Sequence, residues 1–435
     1  VDLVAGLQSL GLKHYAPEHF FGPWIIILRI AMVGKWTEIS STRLFEYESD
    51  ICKIGIKYAG TPGEVKARDH IFDRLNDFGL TDVRLEDFEY LNYMPTSAEL
   101  EVLSPQRWSI ACEPLQYSAD DVVEGELVYG GASKEELEAF LKKGANLEGK
   151  IVIVKTPFPF WMYPLAEKHG AAGFMVITDP PDDLIRVAVA VADRRKGTLP
   201  GVTISLRDGQ RLLNSLKNGK MEVRLRSHGT FYKRNSWNIM GEVPGNEWPE
   251  EKVVICSHYD SQIKGQHAWD NVSGDAGLLE IARVVANLRP KRTIEVVFFG
   301  AEEQGAFWGS TSYVNAHRDD MKNCRALINL DGFSSALCKQ NFLETTPQAK
   351  DFALSIAKEL AWPVHHVGYP MPLSDHIPFI EAGVPAIWIH EGLIDPYYHT
   401  EGDTLDHIDF EKLARITHVA ELCASRLACL DKLLF

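Results

Sequence analysis

The chain has 435 residues, more than one hydrophobic core usually organises, so two domains, or one domain carrying an insert, are expected. Its 45% hydrophobic and 24% charged residues exclude a disordered chain, and no apolar run approaches the ~18 residues of a membrane span. A formal charge of -15 argues against nucleic acid as a partner, because the basic clusters Arg194–Lys196 and Arg289–Arg292 are too small to hold a phosphate backbone.

The first forty residues are apolar and aromatic with little periodicity. Within them Trp24–Val33 is a candidate homodimer contact, with a core helix as the alternative. A helix is expected from Glu64 to Phe78, after the turn-like Gly60-Thr61-Pro62-Gly63, and a strand from Val83 to Phe88. From about residue 95 to 225 short β-rich runs alternate with Gly, Asp and Pro turns: Gly125–Tyr129, Lys150–Val154, Gly173–Ile177 and Gly201–Ile204. Helices fit Lys134–Lys143 and Arg207–Lys217 between them. Beyond residue 235 apolar strands (Val253–Cys256, Thr293–Phe299, Ala326–Leu330, Val384–Ile389) alternate with helices (Gly274–Leu288, Ala349–Leu360, Phe410–Leu427). That alternation predicts an α/β fold, a mostly parallel mixed sheet flanked by helices, with a β-rich inserted domain. The expected organisation is 1–95 and 226–435 for the α/β part and 96–225 for the insert. Seven scattered cysteines without CxxC spacing read as reduced thiols. They favour a cytoplasmic protein, with a secreted one as the alternative where a signal peptide has been removed.

The strand ends carry the chemistry. Val253–Cys256 runs into Ser257-His258-Tyr259-Asp260, Thr293–Phe299 into Gly300-Ala301-Glu302-Glu303, and Ala326–Leu330 into Asp331. Asp270 precedes the helix near Gly274, and His399 follows the strand Val384–Ile389. Sites in open parallel sheets lie beyond the carboxyl ends of the strands, so these residues converge on one edge. Imidazoles and carboxylates are zinc ligands, and five of them supply one bridging carboxylate and two terminal ligands for each of two ions. A further carboxylate off the metals is required as base. Asp260, two residues beyond His258, could orient its second ring nitrogen.

At these positions the chain resembles the M28 family of metallopeptidases, which includes bacterial leucyl aminopeptidases and glutamate carboxypeptidase. The matching stretches are His258-Tyr259-Asp260, Asp270-Asn271-Val272-Ser273-Gly274, Glu302-Glu303-Gln304-Gly305, Asn329-Leu330-Asp331, Ser374-Asp375-His376 and His399-Thr400 with Asp403-Thr404. The insert resembles the protease-associated domain in Ala171–Val176 and Leu199–Val202. The resemblance implies two zinc ions per chain, with manganese or cobalt able to occupy the same ligands. Asp270 would bridge the ions, His258 and Asp331 would complete one, Glu303 and His399 the other. Glu302 would be the base and Asp260 the partner of His258. The implied activity is hydrolysis of a peptide or amide substrate, without nucleic acid or membrane as partner.

Candidate substrate contacts are His267, an extra imidazole before Asp270; Trp308, in a bulky run after the acidic pair; Tyr369; and Ser374 and His376 of the third motif. Few Lys or Arg lie near the motifs, which favours recognition of a free amine, hence an aminopeptidase or dipeptidase. A carboxypeptidase or another amide hydrolase is the alternative. A glutaminyl-cyclase-type acyltransferase is disfavoured by the large insert and the full ligand set. A non-enzymatic binding module is disfavoured by the presence of Glu302 and every ligand.

Overall fold

The computed structural model describes residues 39–305, 307–392 and 395–432. The candidate dimer segment Trp24–Val33 lies outside them. The described chain begins with helices α1 (Ser41–Cys52) and α2 (Pro62–Asp77). The Ser40 hydroxyl caps α1, and Pro62 at the start of α2 costs no hydrogen bond there. Next come strands β1 (Thr81–Ser104), β2 (Trp108–Ile110), β3 (Cys112–Pro114) and β4 (Asp121–Gly131). They are followed by α3 (Lys134–Lys142), β5 (Ile151–Lys155), α4 (Tyr163–Lys168), β6 (Gly173–Ile177), β7 (Gly201–Ile204) and α5 (Leu206–Leu216). Strands β8 (Glu222–Val243) and β9 (Trp248–His258) lead into α6 (Ser273–Val285), β10 (Arg292–Phe299), α7 (Trp308–Ala316) and β11 (Cys324–Leu330). The chain closes with β12 (Phe342–Thr345), α8 (Lys350–Glu359), β13 (His365–Val367), α9 (His376–Glu381), β14 (Ala386–His390) and α10 (Phe410–Cys429).

The strands run in the order β13-β12-β14-β11-β9-β10-β8-β4-β5-β6-β7-β3, with β1 paired along β8. In the catalytic part β14, β11, β9 and β10 are mutually parallel. Side chains alternate across this sheet as the pleat requires. Val253, Ile255, Ile294 and Val296 join the cluster under α1, α2, α6 and α10, while Val254, Cys256, Val297 and Phe299 join the one under α7 and α9. Every residue of β10 is buried, which is why it reads as largely apolar rather than alternating, with Arg292 and Glu295 paired to Glu251 and Lys252. The insert repeats the scheme on a smaller scale: β4, β5, β6 and β7 are parallel. Val152 and Val154 face one apolar cluster, and Ile151 and Ile153 the other.

The sequence reading fails mainly at β1 and β8. The strand expected at Val83–Phe88 is only the start of a 24-residue strand, and β8, 22 residues long, gave no signal. Together they form an antiparallel ribbon from Thr81↔Glu242 to Ser104↔Glu222, which continues past positions 95 and 225 with register shifts along the way. Pro95 and Gly229 sit opposite each other and look like turn residues. Here the register slips between Pro95 and Ser97, and a Cβ on Gly229 would lie 2.3 Å from the Tyr93 ring. One end of β8 pairs with β10 and the other with β4, so the ribbon is the physical link between the two sheets. All seven cysteines are free thiols. Among the described residues no helix is long and apolar enough to cross a membrane.

Candidate metal centre

His258 closes β9, Glu302 and Glu303 follow β10, and Asp331 follows β11, so three neighbouring parallel strands deliver them to one edge. Asp270 arrives on the loop before α6 and His399 on the loop after β14. These loops are tied to one another by polar contacts. Both carboxylate oxygens of Asp260 accept amides, Glu302 N at 2.9 Å and Glu303 N at 3.1 Å, which fixes the turn carrying the acidic pair. Asp403 accepts Trp269 N at 2.8 Å and Asp270 N at 3.1 Å. The Asn271 side chain reaches Leu330 O at 3.0 Å and Gly332 N at 3.2 Å, joining the Asp270 loop to the end of β11. A Cβ on Gly274 would lie 2.7 Å from Leu330 O, so this close approach requires glycine.

The side chains form two donor groups, His258–Asp270–Asp331 and Asp270–Glu303–His399, each with ligand atoms within 4.8 Å of one another. His258 Nε2 lies 3.2 Å from Asp270 Oδ1 and 3.4 Å from Asp331 Oδ1. His399 Nε2 lies 3.2 Å from Asp270 Oδ2 and 3.1 Å from Glu303 Oε2. Asp270 therefore points one oxygen at each group. Glu302 lines the same cleft but belongs to neither group. The Asp260 carboxylate is 3.7 Å from His258 Nδ1, beyond hydrogen-bond reach. Its main contacts are with the Glu302–Glu303 backbone.

The electrostatics fit divalent cations. Asp260, Asp270, Glu302, Glu303 and Asp331 surround only two imidazoles. Burial opposes the charged form of His399, but Glu303 and Asp270 outweigh it and raise its pKa to about 9. Burial likewise pushes Asp270 upward, yet its contacts with His258 and His399 hold it well below the usual carboxylate range. Burial, reinforced by Asp331 and Glu303 and opposed by His258, holds the Glu302 carboxyl well above its ordinary value. His399 Nε2 and Glu303 Oε1 are buried without a hydrogen-bond partner, orphaned atoms that a cation would satisfy.

The candidate substrate contacts fall elsewhere. His267 is fully buried with its Nε2 against the Lys264 carbonyl. Ser374 and His376 are buried against Asn329, at 2.7 and 3.3 Å, and His376 stacks on Trp388. Trp308 packs on Tyr90 beneath Arg194, and Tyr369 is 60% exposed. None of the five lines the cleft, whose wall is instead made by Phe158, Phe160, Phe307, Leu373, Trp388 and Tyr398. Asp403, quoted in a motif but given no role there, proves to hold the Asp270 loop, and burial raises its own pKa to about 8.

Paired donor groups sharing one carboxylate at the edge of a parallel sheet define a metal-dependent hydrolase. Residues 238–423 match Peptidase family M28, a stretch holding all five donor residues, Glu302 and Asp260. The protein is accordingly a metallopeptidase, similar over this stretch to family M28. It is 28% identical over 283 residues to Aminopeptidase YwaD of Bacillus subtilis, an alignment covering 62% of this chain and 60% of the relative. It is 24% identical over 434 residues to Carboxypeptidase Q of Mus musculus, covering 94% of this chain and 89% of that protein. The fold is shared with the aminopeptidase of Aneurinibacillus sp. strain AM-1 (TM-score 0.72, 24% identity, 91% of this chain and 96% of that one). It is also shared with a Peptidase M28 precursor of Shewanella amazonensis SB2B (TM-score 0.74, 21% identity, 91% and 95%).

Proposed function

We propose that the protein is an exopeptidase that uses two zinc ions to remove N-terminal residues with apolar side chains from peptides. The make-up of the cleft wall carries this reading. Among its described residues there is no lysine or arginine, whereas Asp270, Glu302, Glu303 and Asp331 all line it. A substrate carboxylate calls for a cation, ideally an arginine fork, and a free amine is met by carboxylates. The rest of the wall, including Phe158, Phe160, Phe307 and Trp388, suits an apolar side chain. The loops of the insert that supply Phe158, Phe160 and Val187 roof the cleft, the arrangement expected of a protease-associated-like domain.

His258 and Asp331 would hold one ion, Glu303 and His399 the other, with Asp270 shared. When bound, such ions polarise the scissile carbonyl and lower the pKa of water. Glu302 takes the proton of the attacking water on its carboxylate and passes it to the leaving amine nitrogen. It lines the cleft beside both donor groups and belongs to neither, the position that a base requires. A dipeptidase variant of this reading is favoured by His390, which lines the cleft and could meet the C-terminal carboxylate of a short substrate.

The test uses paired dipeptides that differ only in a free or acetylated N-terminus, with zinc-loaded protein. Cleavage of the free-amine member alone supports the proposal. Equal cleavage of both moves recognition to the carboxylate or side chain and defeats it.

A further inference from the structure

The two donor groups use similar ligands but are held differently. Glu303 is positioned by a chain of amides that begins in the insert. Gln116, in the loop after β3, donates its Nε2 to Gln262 Oε1 at 2.8 Å, and Gln262 Nε2 donates to Glu303 Oε2 at 2.8 Å. Both glutamines are fully buried. Anchoring Oε2 in this way leaves Glu303 Oε1 as the unpaired atom.

His399 is gripped by the other insert loop. Val187 N donates to His399 O at 2.9 Å, and His399 Nδ1 faces Val187 O at 3.3 Å. A carbonyl can only accept, so Nδ1 carries the proton and the Nε2 lone pair is left for a ligand role. Arg186 lies over the Tyr398 ring at 5.4 Å, and Tyr398 stacks on His399 at 3.7 Å. The two loops are themselves joined, because Gln116 N donates to Ala188 O and Ala190 N to Gln116 O. Among the described residues no such contact from the insert reaches His258 or Asp331. His258 Nδ1 has no hydrogen-bond partner, and Asp331 N donates within the catalytic sheet, to Ile389 O.

We infer that the insert builds one metal position, that of Asp270, Glu303 and His399, and leaves the other to the catalytic sheet, with Gln116 and Gln262 as positioning residues. The inference rests on reading the two donor groups as metal positions. It adds that affinity at one of them is set by a part of the chain that carries no ligand.

Zinc titration of the purified chain against a chelating dye tests it, using variants that each disable one position. Asp331→Asn leaves the insert-held position, and Glu303→Gln leaves the other. Gln116→Met keeps the bulk and removes the amide, so it should weaken zinc about tenfold or more beside Asp331→Asn. It should change zinc affinity less than about twofold beside Glu303→Gln. Gln116→Glu should be worse than Gln116→Met, because an acceptor-only neighbour turns Gln262 Oε1 towards Glu303. Melting of the metal-free form separates a local from a global effect, and Gln262→Met gives the same reading if Gln116→Met does not fold. Equal weakening in both backgrounds, or none in either, overturns the inference. Wild-type protein that takes up fewer than two equivalents of zinc overturns the metal reading itself. Two equivalents with no selective loss overturns only the role of the insert.

Discussion

The catalytic sheet and the sheet of the insert are built on the same plan, parallel apolar strands with clusters on both faces, yet they put different residues at their carboxyl ends. In the catalytic sheet those ends carry His258, the Glu302–Glu303 pair and Asp331. In the insert, β5 is followed by Pro157, Phe158 and Phe160, and the loop after β6 supplies Val187 to Val189, all lining the cleft. The same architectural edge thus serves chemistry in one sheet and enclosure in the other. Function follows from the side chains mounted there and not from the arrangement of strands.

Metal removal should break the comparison on its catalytic side most completely. Exhaustive chelation is expected to reduce peptide hydrolysis to background and added zinc to restore it, followed by a continuous amidase assay. Glu302→Gln should lower kcat by about a thousandfold, within the range for loss of a general base. It should leave zinc stoichiometry intact, since Glu302 stands outside both donor groups. A parallel fall in bound zinc would assign Glu302 to the ligands instead.

The junction between the sheets offers a pH test. Glu64 accepts Gly60 N at 2.6 Å and Ser236 Oγ at 2.5 Å, linking α2 to the ribbon strand β8. Burial raises its pKa to about 7 against the Ser236 and Gly60 hydrogen bonds. The folded form holds this proton more tightly than the unfolded chain. Its contribution is therefore full below the unfolded carboxyl range and is lost as pH rises through about 7. Across that window Glu64→Gln should flatten the fall in unfolding free energy, measured by denaturant titration at each pH, by up to about 3 kcal/mol. The smallest effect belongs to the roof. Phe160→Ala should raise KM for apolar dipeptides about tenfold, roughly 1.4 kcal/mol, with zinc affinity unchanged. A loss of zinc instead would show that the roof also shapes the metal site.

Much of the catalytic side was legible because several cues coincide there. His258, the Glu302–Glu303 pair and Asp331 stand at the ends of short, largely apolar strands, and Gly332 and Asn271 mark tight turns beside Asp331 and Asp270. The ribbon was not legible, since Pro95 and Gly229 give a turn signal, whereas Pro95 sits at a register shift and Gly229 makes room for the Tyr93 ring. Nor was the wall, because Phe158 and Phe307 come from loops and Trp388 from β14, far apart in sequence and sharing no spacing. Gln116 and Gln262 lie in separate loops 146 positions apart, and an uncharged amide pair leaves no mark in composition or periodicity.

Asp270 turns one oxygen to each donor group, so with an ion in each group that single carboxylate would make the two positions energetically interdependent. Loading either one would fix the carboxylate that the other needs and draw on its charge, so neither affinity would be an independent constant. The coupling is reciprocal by thermodynamic necessity: whatever factor the first ion imposes on the second, the second imposes on the first. On the two-zinc proposal, activity at limiting zinc would then be a property of the pair, with a binding curve that departs from that of two isolated sites.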